Sequence, residues 1–120
     1  MNKIVIAVNK MIENQFKITN VLRSKSSGTN NEFFFIYDGK FKWSILKLNS
    51  ENNYNLFFYN DSESIEVLAS KTFIDDSSYV VYKTSDLKTR EAFQSFADLY
   101  NLVGKRVFGI EDVLDTIIEG

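Results

Sequence analysis

The apolar residues near the N-terminus recur at intervals close to three and four positions, which is typical of an amphipathic helix. They are Val5, Val8, Ile12, Phe16 and Leu22. This spacing predicts a helix from Lys3 to about Arg23. The β-branched run at residues 4–6 leaves an alternative, in which a short strand precedes a helix that begins near Asn9.

A β-hairpin is predicted where Asp38-Gly39 separates two apolar runs, residues 32–37 and 40–48. An Asp-Gly pair favours a two-residue turn because both central positions need positive φ. Such a turn would pair Tyr37 with Lys40 and Phe34 with Trp43. One face of the hairpin would then carry Phe34, Ile36, Phe41, Trp43 and Ile45, and the other Phe33, Phe35, Tyr37, Lys40 and Lys42.

Further strands are predicted after the hairpin. A turn at residues 49–53 leads to a strand at 54–59, in which Phe58 would oppose Ser44. Both faces of the sheet are then apolar at its centre, so the sheet needs cover on both sides. One or two more strands are predicted within residues 65–84, including 79–84, with a turn at 75–78. A short helix over residues 62–70 is the alternative.

The last third of the chain has the spacing of two helices. Thr84 or Ser85 is the expected N-cap of the first, and Gly104 its expected end. Its predicted buried stripe is Phe93, Phe96, Ala97, Tyr100 and Val103. The second helix follows Gly109, with the apolar stripe Ile110, Val113, Leu114, Ile117 and Ile118.

These elements predict one α+β domain over residues 1–120. It has an N-terminal helix, an antiparallel meander of four or five strands and two C-terminal helices. Residues 25–31, rich in Ser, Gly and Asn, are expected to form a loop. Two apolar sheet faces and three helices leave two arrangements. Either the helices cover both faces, or one face is buried in a dimer or complex.

Composition then removes several kinds of chemistry. The chain has no cysteine and no histidine, which excludes zinc–thiolate sites, thiol nucleophiles and Ser-His-Asp triads. A net charge of −2 gives no electrostatic footprint for nucleic acid. The longest apolar run, residues 4–8, is too short to cross a bilayer. We therefore expect a cytoplasmic protein without cofactor, and the bias toward Asn, Lys, Ile and Phe points to a bacterial or phage gene.

Two acidic patterns raise enzymatic alternatives. The carboxylates that follow the third strand are candidate ligands for a divalent metal in a hydrolase or nuclease. They are Asp61, Glu63, Glu66, Asp75 and Asp76, and their spacing matches no calcium loop. Asp38-Gly39-Lys40 resembles an acid–spacer–lysine nuclease triplet, but the hairpin turn accounts for it. We therefore predict no catalytic residues and no metal ligands.

An aromatic and lysine-bearing sheet face is the candidate interaction site: Phe33, Phe35, Tyr37, Lys40, Lys42, Tyr54 and Phe58. Aromatic patches mark protein interfaces, and the same combination can stack the bases of single-stranded nucleic acid. In size, acidity and mixture of elements the chain resembles secretion chaperones, which work as dimers. The sequence predicts a non-catalytic binding protein of immunity, chaperone or anti-defence type, with a protein partner or a second copy.

Overall fold

A computed structural model describes residues 2–25, 31–48, 52–71 and 78–120, with the side chains of Phe108 and residues 110–112 excepted. It confirms the α+β fold, with an N-terminal helix, a five-stranded antiparallel sheet and C-terminal helices. The elements in chain order are α1 (Lys3–Glu13), a 3₁₀ turn (Gln15–Lys17), β1 (Ile18–Arg23), β2 (Glu32–Tyr37), β3 (Phe41–Lys47), β4 (Tyr54–Tyr59), α2 (Ile65–Ser70), β5 (Tyr79–Lys83), α3 (Thr84–Leu87), α4 (Arg90–Phe108) and α5 (Ile110–Glu119).

The five strands lie in the order β1-β2-β3-β4-β5, so each strand pairs antiparallel with its neighbour in sequence. The predicted meander is therefore confirmed. Most of the predicted loop at 25–31 and of the predicted turns at 49–53 and 75–78 lies outside the described residues.

The predicted N-terminal helix was too long. Asn2 caps α1 by accepting a hydrogen bond from the Ile4 amide (3.0 Å), and the helix ends at Glu13. The later part of the predicted helix is strand β1, which supplies the outer partner of β2. A bulge in β1, where Asn20 has φ 54°, interrupts the alternation of inward and outward side chains. The segment therefore lacks the period-two pattern by which a strand is predicted from sequence.

The hairpin turn was predicted correctly, but its register was wrong by one residue. Asp38 and Gly39 both have positive φ (57° and 70°), and the Lys40 amide donates to the Tyr37 carbonyl at 3.3 Å. Pairing nevertheless begins at Tyr37↔Phe41, because Lys40 is an extra residue in the loop. A one-residue shift moves every side chain of β3 to the other face.

The shift changes which residues share a face. Trp43 pairs with Phe35 and Ile45 with Phe33, so these four side chains lie on one face. Lys42, predicted there, lies on the opposite face. The pairing of β3 with β4 also differs from the prediction by one residue, because Ser44 pairs with Phe57 and not with Phe58.

Helices cover both faces of the sheet. α1 and α4 pack together on one face, over a core that includes Phe35, Leu56 and Phe96. Ser95 of α4 donates to Asn9 Oδ1 of α1 at 2.6 Å, and the Arg106 guanidinium donates to the Gln15 and Ile18 carbonyls. α2 covers the other face, over Phe34 and Tyr59. The alternative of a short helix near residues 62–70 was therefore correct.

The C-terminal helices differ from prediction in where they start and stop. Thr84 opens the single-turn helix α3, and Thr89 is the N-cap of α4, accepting from the Ala92 amide at 3.1 Å. Gly104 does not end the helix. It lies inside α4, where an added Cβ would stand 3.2 Å from Cε2 of Phe33, so a glycine permits close packing there. Gly109, at φ 64°, ends α4, and α5 follows as predicted.

Candidate protein-binding groove

The layer formed by α1 and α4 leaves one strip of the sheet open, next to the β2–β3 hairpin. This strip is a groove of about 430 Å³, which we call the aromatic groove. Its floor is Tyr37, Phe41, Trp43, Phe58, Val80 and Tyr82, and its wall is Ala7, Lys10 and Met11 of α1. Four strands and one helix therefore build a concave surface that is almost wholly apolar, within the size range of protein ligand sites.

The aromatic rings of the groove pack on one another and leave part of their surface in solvent. The Phe58 ring centroid lies 5.0 Å from that of Trp43 and 6.4 Å from that of Phe41. Phe41 is 41% exposed and Val80 50%. Lys40 Nζ stands 5.3 Å from the Phe41 ring centroid, which places a cation at the rim. The groove is thus an exposed apolar surface with a basic edge.

Trp43 contributes a polar group to this apolar setting. Its indole Nε1 is inaccessible to solvent and has no hydrogen-bond partner within the described part of the chain. Buried N–H groups are usually paired. Trp43 is also the single tryptophan of the sequence, so the tryptophan emission of the folded chain comes from this groove.

The structure divides the residues predicted to form the interaction site. Tyr37 and Phe58 lie in the groove, and Lys40 stands at its rim. The other three aromatic residues are buried in the core beside α1 and α4, at 4%, 0% and 4% exposure: Phe33, Phe35 and Tyr54. They lie on the same face of the sheet as Trp43, where α1 and α4 cover them, and offer no surface of their own.

Lys42 lies on the far face, where its ammonium donates to the carbonyls of Glu63 (2.6 Å) and Asp61. Lys40 and Lys42 were the two lysines of the face that could bind nucleic acid, and only Lys40 lies beside the aromatic groove. Binding of single-stranded nucleic acid stays an untested hypothesis.

Sequence reasoning missed several members of the groove. Phe41 and Trp43 were assigned to the other face because the predicted hairpin loop was one residue too short. Val80 and Tyr82 alternate on β5, a period-two signal that was present in the predicted strand at 79–84. The α1 wall had no sequence signal, since helical spacing does not say which sheet residues a helix stands beside.

A buried polar network occupies the opposite face, beneath α2. Ser44 Oγ donates to Glu32 Oε2 at 2.8 Å and lies 2.7 Å from the Tyr59 hydroxyl. Burial raises the pKa of Glu32. Burial is also the main cause that raises the pKa of Tyr59, and the charge of nearby Glu32 raises it further. All three side chains are at most 4% exposed, so this network is closed to a substrate.

The acidic residues proposed as metal ligands have structural contacts of their own. Asp61 Oδ1 accepts from the Glu63 amide at 2.9 Å, and Glu63 forms an ion pair with Lys71 at 3.0 Å. The described residues contain no group of three His, Cys, Asp or Glu that could hold a metal. Asp75 and Asp76 lie outside the described residues, so the metal-site hypothesis stays untested.

The fold and the groove together define a small α+β protein with an aromatic surface groove. Comparison with protein-family profiles, with curated proteins and with solved structures finds no match to this chain. Among the helices that the structure describes, none combines the length and the apolar character that crossing a membrane requires.

Proposed function

We propose that this chain is a small, cytoplasmic, non-catalytic accessory protein that binds a protein partner, either another protein or a second copy of itself, through the aromatic groove. Immunity, chaperone and anti-defence proteins are the classes that this proposal covers. The observation that carries it is the groove itself, a surface strip of aromatic and aliphatic side chains beside helix α1.

The composition of the groove favours a protein ligand. Aromatic residues and methionine are enriched at protein interfaces, and a concave apolar strip beside a helix accepts an amphipathic helix or an extended segment. Lys40 and Lys10 at its edge favour a partner with acidic residues flanking its apolar contacts. The absence of His and Cys from the sequence removes the commonest general base and nucleophile.

The test is affinity capture from native lysate with the wild-type chain and with Phe41→Asp. Because Phe41 is 41% exposed, the charge should leave the fold intact while it disrupts the apolar groove. We expect a stoichiometric protein partner with the wild type, either a different protein or an untagged copy of the chain, and at least a tenfold weaker recovery with Phe41→Asp. A charge placed in a desolvated interface weakens binding by at least that factor, since about 1.4 kcal/mol corresponds to tenfold.

The matched control is Phe16→Asp, which introduces the same charge at a phenylalanine that is 73% exposed and is not among the residues lining the groove. It should recover the partner as the wild type does. Circular dichroism and thermal melting of all three proteins check that they are equally folded. Equal recovery with Phe41→Asp, or recovery of the tagged bait with neither a different protein nor an untagged copy of the chain, would contradict the proposal.

A further inference from the structure

The C-terminal helix α5 carries a second exposed apolar surface. Four of its side chains, spaced to share one side of the helix, are 45–80% exposed: Val113, Leu114, Ile117 and Ile118. Among the elements with described contacts, the main neighbour of α5 is α4, the helix that it follows through Gly109. We call these four residues the α5 stripe.

The aromatic groove is a gap in the helical layer on this face of the sheet. α1 and α4 lie side by side on this face of the sheet, and the groove continues the layer on the exposed side of α1. An amphipathic helix bound there would bury its apolar side on Trp43 and Phe58 and would contact α1 along its flank. This is the helix-in-groove mode, which is recognised through apolar anchors at i, i+3, i+4 and i+7.

The charges of the two surfaces are opposite. α5 contains four acidic residues and no basic residue: Glu111, Asp112, Asp115 and Glu119. With 3.6 residues per turn, Asp115 lies about 60° beyond Ile118 around the helix axis, at the border of the stripe. The groove has Lys10 in its wall and Lys40 at its rim. In the structure Lys10 forms an ion pair with Glu13 at 3.1 Å, but both side chains are more than 60% exposed. Surface ion pairs of this kind contribute little free energy, so Lys10 can exchange Glu13 for an acidic residue of a partner.

We propose that the aromatic groove of one molecule binds the α5 stripe of a second copy, an inference that rests on the proposed protein-binding role of the groove. Each chain contributes one groove and one helix. In a dimer with a twofold axis, the groove of each molecule would contact the stripe of the other in two identical contacts. The acidic border of the stripe then faces the lysine edge of the groove.

The first test is the mass of the full chain in solution by light scattering. The wild type should have twice the monomer mass of 13.9 kDa. Phe41→Asp in the groove and Ile117→Asp on the stripe should each shift the protein to monomer, because each removes one side of both contacts. Ile117 is 69% exposed, so its change does not threaten the fold. Phe16→Asp should remain a dimer.

Complementation makes the test specific. Ile117→Asp retains an intact groove and Phe41→Asp retains an intact stripe, so an equimolar mixture should form a mixed dimer through the single remaining contact. The emission of Trp43 in the Ile117→Asp protein should change as a Phe41→Asp,Trp43→Phe chain, which contains no tryptophan, is added. Addition of Ile117→Asp,Trp43→Phe, which has neither an intact stripe nor a tryptophan, should leave the emission unchanged.

A disulfide test gives the contact directly, because the chain has no cysteine of its own. Val80→Cys in the groove, mixed with a tagged Ile117→Cys chain and oxidised, should yield a mixed cross-linked product. Phe16→Cys in place of Val80→Cys should yield at least tenfold less.

Three outcomes would overturn the inference. A monomeric wild type whose Trp43 emission is unaffected by Ile117→Asp would exclude α5 as the occupant. A monomeric wild type whose emission does respond would show that α5 binds its own groove. A dimer that survives both aspartate variants would place the interface elsewhere. Capture of a different protein by the wild type, lost in Phe41→Asp, would in each case preserve the proposed function, so the two failures are distinguishable.

Discussion

Replacement of Phe35 by alanine is expected to lower the free energy of unfolding by about 3–5 kcal/mol, the usual cost of removing a buried phenylalanine ring. Phe35 is 0% exposed and belongs to the cluster between the sheet and the helices α1 and α4. The loss combines the transfer of the ring from the core with the cavity that it leaves. Urea denaturation followed by Trp43 emission measures it.

Phe16→Ala is the matched control for this change. The Phe16 side chain is 73% exposed, so the same truncation should alter the free energy of unfolding by no more than about 0.5 kcal/mol. A cost below about 1 kcal/mol for Phe35→Ala would mean that Phe35 lies at a surface. That result would support the sequence-based prediction that Phe35 belongs to an exposed interaction face.

Replacement of Glu32 by glutamine is expected to remove a pH dependence of stability. Burial raises the pKa of Glu32, so between its ordinary value near 4.5 and the raised value the folded chain retains a proton that the unfolded chain releases. The contribution of this group is therefore complete at low pH and is lost as pH rises through the folded-state pKa. Glutamine stays neutral and can still accept the hydrogen bond from Ser44.

Melting or urea curves from pH 4 to 8 measure this effect. One proton held by the folded state alone gives a slope of up to about 1.4 kcal/mol per pH unit, with stability falling as pH rises. The Glu32→Gln chain should lack that slope and should be more stable than the wild type at neutral pH. Glu13→Gln, at a carboxylate that is 63% exposed, is the control and should keep the wild-type slope. Parallel curves for wild type and Glu32→Gln would show that Glu32 is ionised in the fold.

The sequence was sufficient for the architecture because most elements have unambiguous local signals. Asp38-Gly39 marked the hairpin, and the stripe from Val113 to Ile118 marked α5. Strand β1 was not predicted because Leu22 was included in the helical spacing of the preceding apolar residues, whereas pairing with β2 makes this segment a strand. Gly104 looked like a helix end because the close approach of Phe33, which explains a glycine there, is a tertiary contact.

The site was harder to predict than the fold because it depends on register. One additional loop residue, Lys40, moves Phe41 and Trp43 into the groove and Lys42 out of it. No propensity scale distinguishes the two registers, since both give apolar faces. Burial was a second unknown, because the spacing that places Phe35 and Tyr37 on one face cannot say which of them a helix covers.

The contact between α1 and α4 also bears on how the chain acquires its structure during synthesis. Each strand pairs with the next one along the chain, so the sheet can form progressively as the polypeptide emerges. The helical layer cannot form progressively, because Asn9 of α1 contacts Ser95 of α4, which lies 86 positions later in the sequence. Until α4 has left the ribosome, the aromatic face that it shares with α1 stays incompletely covered. The nascent chain is then most exposed to aggregation and has most need of a chaperone.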